Sequence, residues 1–252
     1  MEGKDECLVS SPIMIQENKK TKLAAGLRAG IPIAVGYIPI AIAFGLLAKS
    51  TGIPNYISIM MSVFIFAGAS QFVGVNLIAL GAGFSEIIFT TFILNLRHFL
   101  MSASLYQRVD LEASKVLRIL FSYGITDETF SVASLRSESK LSGYFLLALN
   151  GLAFLSWNIG TIIGIFLAQG LPTSLKSSMG IALYAMFIAL LVPSLGKSKE
   201  IMVVSLTAAS VHGILHWVPL FKGLSTGWAI IISTVMAALV GSFFFKSEVK
   251  DA

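Results

Sequence analysis

Four ionisable residues sit where an apolar sequence has little room for them. Arg97 and His98 are adjacent near the middle of the apolar stretch 86–107, and Asp127 and Glu128 are adjacent near the middle of 118–136. In hydrocarbon each charge costs about 2.5–3.5 kcal/mol, so Arg97, Asp127 and Glu128 left unpaired would together cost roughly 8–10 kcal/mol. That rivals the whole stability of an ordinary domain. These side chains must therefore face a cavity or each other. A guanidinium with two carboxylates can hold a small zwitterion, and the carboxylates can take up and release a proton. The plainer alternative is an Arg97–Asp127 or Arg97–Glu128 pair that only fixes helix packing.

A second polar feature is Gly68-Ala69-Ser70-Gln71, at the centre of the apolar stretch 57–82, with Phe72 and Gly74 behind it. Glycine there permits close backbone approach. A helix broken at this point would present free N–H groups and a positive half-helix end, which suits a carboxylate. Close packing through small residues is the other reading, and spacing alone leaves both open. By helical spacing Asp127 shares a face with Tyr123, Ser131 and Ser134, and Glu128 is turned away from it. His98 has Asn95 and Ser102 nearby, and a histidine can shuttle protons near neutral pH; a bond to a neighbouring helix would equally account for it. The candidate substrate-binding residues are Gly68, Ala69, Ser70, Gln71, Asn95 and Arg97. The candidate proton-coupling residues are Asp127, Glu128 and His98. Their segments place them near one depth, where transporters usually hold substrate. His212 and His216 are one turn apart, but Gly213, Ile214 and Leu215 between them supply no further ligand. No metal site, catalytic pair or cofactor is assigned.

The elements that must carry these residues are membrane helices. The chain has 252 residues, 56% of them apolar and 12% charged. Soluble domains run near 45–50% and 25%. Mean hydropathy is +0.84. The charge-free runs 29–48, 177–196, 201–221 and 223–245 match the about 20 residues needed to cross a bilayer. This composition excludes a soluble enzyme, a nucleic-acid binder and a disordered chain. The net charge of +5 fits Lys and Arg held on the cytoplasmic side. With Cys7 alone, no intrachain disulfide can form. Residues 1–22 lack the pattern of a signal peptide and read as a cytoplasmic tail.

The fold expected is all-α, a polytopic bundle of about eight transmembrane helices with both termini cytoplasmic. The spans are 29–48, 57–82, 86–107, 118–136, 143–169, 177–196, 200–220 and 224–245. One transmembrane domain, 23–246, lies between the tails 1–22 and 247–252. Eight spans place 11 basic residues inside and 6 outside, with Arg97 in a span. Dropping the 118–136 span reverses the balance to 7 and 10, against the positive-inside rule. The loop 108–118, with three basic residues outside, fits least well. Pro32 and Pro39, with Gly36 between them, predict a kinked first helix. No strong internal repeat is visible.

Four blocks give the sequence a family likeness. They are Gly30 to Gly45 (GIPIAVGYIPIAIAFG), Phe66 to Phe72 (FAGASQF), Asn95-Leu-Arg-His98 running into Met101 to Leu105, and Thr126-Asp-Glu-Thr-Phe130. Weaker echoes are Trp157 to Thr161 and Ala185-Met-Phe187. In these blocks the chain resembles the AzlC family, the large subunit of branched-chain amino acid exporters. The resemblance implies a multi-pass protein of a prokaryotic cytoplasmic membrane that works with a small hydrophobic AzlD-like subunit. It also implies export of valine, leucine and isoleucine, and in some members methionine. No phosphate-binding loop is present, and no ATPase subunit is implied. Secondary export by proton antiport is the mechanism expected. A permease or channel for another small solute is the alternative, ahead of an intramembrane enzyme or a regulatory subunit.

Overall fold

A computed structural model of the chain describes residues 12–109, 114–168, 170, 188, 191–192, 194–196 and 198–245, with side chains from Lys19 onward. Most of the predicted 177–196 span and all of the Ala185–Phe187 echo lie outside the described residues, as do residues 1–11 and the tail 247–252. The described helices are α1 (Pro12–Ser50), α2 (Asn55–Phe64), α3 (Gly68–Ala79), α4 (Phe84–Tyr106), α5 (Lys115–Tyr123), α6 (Asp127–Ser134), α7 (Gly143–Leu167), α8 (Lys199–Trp217) and α9 (Thr226–Phe244). Four of them, Lys19–Ser50, Phe84–Tyr106, Gly143–Leu167 and Thr226–Phe244, are long and apolar enough to cross a membrane. α1 runs unbroken through Pro32 and Pro39, so the prolines do not end it. The chain folds into two compact units, Met1–Ile38 with Arg97–Trp157, and Pro39–Leu96 with Asn158–Ala252. α1, α4 and α7 each contribute to both.

In the first unit α1 and α7 run parallel and in register. A Cβ on Gly26 would strike Phe145 O and come within 2.8 Å of Ala148 Cβ. One on Gly30 would lie 3.3 Å from Leu149 O. The Tyr37 ring then meets Trp157 edge-on at 5.4 Å. α4 runs the opposite way, because its end meets the start of α7: Leu141 N donates to Arg108 O at 2.6 Å. The Arg108 guanidinium donates to Ser134 O, Arg136 O and Glu138 O at 2.7–2.8 Å. Glu138 also pairs with Lys22 of α1 at 3.8 Å. The chain therefore leaves α4, forms α5 and α6, and returns to the end it left. With nine and eight residues, these helices are about 13 and 12 Å long, and the hydrocarbon core is about 30 Å thick. Their junction, Gly124–Thr126, rests against α7, where Asn150 Nδ2 donates to Phe121 O at 2.6 Å. A Cβ on Gly124 would lie 2.6 Å from Asn150 Cβ. The predicted 118–136 span is thus a re-entrant hairpin.

The second unit holds a matching hairpin. Lys49 at the end of α1 donates to Asn55 at the start of α2. Gln71 Nε2 of α3 donates to Ser62 Oγ of α2 at 3.0 Å. These two residues lie on opposite sides of the break at Ile65–Ala67, three before it and four after it, the pattern of a fold-back. In a continuous helix nine residues would separate them by about 13 Å. Phe66 takes φ +42° at the turn. α3 then runs antiparallel to α4: Ser70 Oγ donates to Asn95 Oδ1 at 2.6 Å, and Gly74 faces Thr91. The predicted 57–82 span is therefore re-entrant as well. α1 and α7 continue in parallel here, with Gly45 against Thr161 O and Gly164 against Ile42 O. α8 and α9 form an antiparallel pair in which Gly241 packs on Val204. Gly227 N of α9 donates to the Glu86 carboxylate at the start of α4, at 2.7 Å.

This topology improves the charge balance. With the 177–196 crossing retained, Arg108, Lys115 and Arg118 move to the basic side, giving 14 basic residues inside and 3 outside. Re-entrance also explains why the counting with eight crossings worked at all. Turning back twice changes the side of α4 and the two hairpins but leaves α7 and everything after it where it was.

Candidate functional site

Each hairpin ends its descent in a half-helix N-terminus, and the two are chemically opposite. α3 starts at Gly68 behind Ala67, a cap without a side-chain acceptor. The first turn closes with Gln71 N on Ala67 O at 2.9 Å, and the N–H groups of Gly68, Ala69 and Ser70 have no partner within the helix. Of the two readings left open by spacing, the broken helix is the one adopted. Ser70 is joined to Asn95, so these two candidates do meet. Gln71 is different: it is fully buried, donates to Ser62, and Ser62 in turn bonds Thr161 Oγ1 at 2.8 Å. Its side chain staples α2, α3 and α7. Phe72 is likewise core, edge-on to Phe44 at 5.5 Å.

α6 starts with acids. Thr126 caps it and exchanges hydrogen bonds with Thr129 in a capping box. Asp127 and Glu128 occupy the first turn, where the helix dipole favours negative charge. Arg97 Nη1 of α4 pairs with Asp127 Oδ2 at 2.6 Å, with 36% and 37% of the two side chains exposed. Glu128 takes a different partner, the hydroxyl of Tyr37 on α1. Tyr37 is 7% exposed and lies 2.7 Å from Thr126 Oγ1 as well. His98 is half-buried on α4, within electrostatic range of Arg97 and Asp127.

The candidates thus fall into two sets. Arg97, His98, Asp127 and Glu128 form one cluster in the first unit, and Gly68, Ala69, Ser70, Gln71 and Asn95 belong to the second. The expected polar face of Tyr123 with Asp127 is not formed, because the helix breaks between them. Tyr123 instead meets Phe154 edge-on at 6.0 Å. Sequence reading missed Tyr37, Thr126, Ser62 and Thr161. Tyr37 had a signal, being a hydroxyl-bearing side chain within a charge-free run. Thr126 had one too, because Thr-x-x-Thr before a short helix is close to a capping-box pattern. His212, His216, Trp217 and Ser233 line an open cavity of about 530 Å³ between α8 and α9, most of whose wall is apolar. Among the described residues no group of three or more His, Cys, Asp or Glu could hold a metal.

Known proteins connect this chain to transport. A 33% identical relative over 226 residues, 87% of this chain and 90% of its own length, is the inner membrane protein YgaZ of Escherichia coli. A membrane protein of Archaeoglobus fulgidus is 32% identical over 71% of this chain and 78% of its own length. The branched-chain amino acid transport protein AzlC of Bacillus subtilis is 30% identical over 64% of this chain and 66% of its own length. No solved structure matches significantly. The family described as AzlC protein matches residues 32–171, a stretch that contains both hairpins and the whole acidic cluster. The chain is therefore a multi-pass membrane transport protein of the AzlC family.

Proposed function

We propose that this protein exports branched-chain amino acids, valine, leucine and isoleucine, as the large subunit of a two-component secondary exporter driven by proton antiport. The observation that carries the reading is the Arg97–Asp127 pair, 2.6 Å apart and about one third exposed. A zwitterion carries the same two charges. Its carboxylate can take two hydrogen bonds from the planar guanidinium, and its ammonium can bind Asp127, so substrate exchanges one internal pair for two external ones. That exchange keeps every charge compensated at each stage, which a membrane domain requires. The relative named for branched-chain amino acid transport supports the substrate class. The N–H groups of Gly68–Ser70, which have no partner within α3, form with Gln71 and Asn95 a second anion-binding element in this reading. Asp127, Glu128 and His98 supply the proton coupling. The small subunit is an AzlD-like membrane protein.

The test is efflux of radiolabelled valine from cells expressing this chain with and without the small subunit, before and after a protonophore. Efflux that needs the subunit and collapses with the gradient is the expected result. Absence of valine, leucine, isoleucine and methionine efflux, with both proteins present in the membrane, would overturn the substrate assignment. Trans-stimulated exchange in vesicles separates a carrier from a channel, since only a carrier shows it.

A further inference from the structure

The two adjacent acids of α6 have different hydrogen-bonding partners, and the difference assigns them different tasks. Asp127 faces Arg97 at 2.6 Å. A guanidinium has donors only, so this contact is satisfied when Asp127 is ionised and is broken when Asp127 carries a proton. Glu128 faces the Tyr37 hydroxyl, and among the described residues no Lys, Arg or His nitrogen pairs with it within 4 Å. A hydroxyl both donates and accepts. With Glu128 ionised, Tyr37 donates to the carboxylate and the Thr126 hydroxyl donates to Tyr37 Oη. With Glu128 protonated, Glu128 donates to Tyr37 Oη and Tyr37 donates to Thr126 Oγ1, 2.7 Å away. Thr126 Oγ1 then has Thr129 Oγ1 within 3.4 Å as its own acceptor. Every contact survives both protonation states by reversal of the chain.

We infer that Glu128 carries the coupling proton, with Tyr37 and Thr126 as a reversible hydroxyl relay, while Asp127 stays ionised for Arg97 and substrate. This rests on the proton-antiport reading above and divides the labour within its acidic cluster. The proton enters Glu128 from one side and leaves to the other; no bond other than O–H is made or broken. Tyr37 acts as a positioning residue. It is held by burial and by the edge of Trp157, 5.4 Å from it. The charged and titratable groups facing this pair of acids are Tyr37 from α1, on Glu128, and Arg97 and His98 from α4, on the adjacent Asp127. α7 presents the non-titrating Trp157.

The experiment uses the full chain in liposomes with its small subunit. It compares Glu128→Gln, Asp127→Asn and Tyr37→Phe for valine exchange, for accumulation driven by a pH gradient, and for the infrared band of protonated carboxyl groups during a pH titration. In Glu128→Gln, exchange persists and loses its pH dependence, while gradient-driven accumulation falls at least about tenfold, which corresponds to about 1.4 kcal/mol of lost coupling. Tyr37→Phe still transports, but its pH midpoint moves upward, because the ionised carboxylate has lost a donor. Asp127→Asn loses exchange itself. The titrating band disappears in Glu128→Gln and remains in Asp127→Asn. Wild-type coupling in Glu128→Gln, or a band that disappears in Asp127→Asn alone, would overturn the assignment. If the wild type exchanges no amino acid, the substrate reading fails, and the infrared titration still decides between the two acids.

Discussion

The re-entrant course of α5 and α6 makes a prediction about where residue 115 meets solvent. Phe121 O is bonded by Asn150 of α7, nine residues beyond Leu141, and Val109 lies beside Leu141. Were α5 to descend from the far side, Lys115 would stand a further two turns beyond Phe121. The link from Val109 to Lys115 would then have to climb about 23 Å, and six fully extended residues reach about 21 Å at most. The crossing geometry fails before any sideways displacement is counted, and it also leaves Arg108, Lys115 and Arg118 on the wrong side of the charge balance. The assay replaces Cys7 with Ser and introduces Lys115→Cys or Lys222→Cys, both at exposed positions. Intact cells are treated with a membrane-impermeant maleimide, then permeabilised and treated again. Lys222→Cys labels in intact cells. Lys115→Cys labels only after permeabilisation, with an intact-cell signal lower by about tenfold, as a side chain held on the basic side requires. Equal labelling of the two in intact cells would refute the hairpin and restore 118–136 as a crossing.

Four further outcomes follow from the surroundings of single residues. Gly164→Ala lowers the melting temperature in detergent, because its Cβ would meet the Ile42 backbone, with Ile42 C 2.9 Å away, and no rotamer relieves it; overpacking of this kind costs about 1–3 kcal/mol. Gly213→Ala, with open space around its Cβ, leaves the melting temperature unchanged or raises it. Arg108→Lys loses the planar fork that holds three carbonyls, at about 1.5–3 kcal/mol per charge-assisted bond, and limited proteolysis then cuts the 135–141 connection faster. Arg97→Met costs about 2 kcal/mol of stability, less than the about 3–5 kcal/mol of a fully buried pair because a third of each side chain is exposed; adding Asp127→Leu restores the folded yield by size-exclusion profile but not transport.

Much of this fold was legible because a membrane constrains composition so strongly. The charge-free runs located α1, α8 and α9, and apolar length located α4 and α7. That Arg97 pairs with Asp127 or Glu128 followed from the cost of leaving such charges alone; which of the two it meets came only from the structure. The hairpins were not legible as such. A stretch of 26 residues such as 57–82 has the length of a crossing whether it goes through or turns back, and hydropathy carries no information about direction. The charge count did hold a trace of the answer: three basic residues in the loop 108–118 sat outside in an otherwise consistent scheme. The relay through Tyr37 was invisible for another reason. It joins residues 91 apart in sequence, and only the packing of α1 on α6 brings them together.

The order of elements carries one further consequence. α1, α2, a break and α3 are followed by α4, α5, a break and α6, and α4 runs opposite to α1. The chain therefore repeats one motif with inverted topology, the arrangement on which many secondary transporters are built. Irregular backbone at membrane depth is tolerated only where protein or a cavity satisfies its polar groups. Each break accordingly needs polar side chains whether or not it serves transport. Asn150 on Phe121 O meets that need in one unit, and the Gln71–Ser62–Thr161 chain staples the hairpin in the other. By this standard Gln71 is accounted for by the fold. Arg97, Asp127, Glu128 and Tyr37 are not: none of them is needed to cap a helix or close a turn, since Thr126 and Thr129 already cap α6. A fold that required only a satisfied hairpin tip would omit two acids, a guanidinium and the tyrosine that meets them. The function proposed above gives that surplus a use: substrate at Arg97 and Asp127, and the coupling proton at Glu128 beside Tyr37.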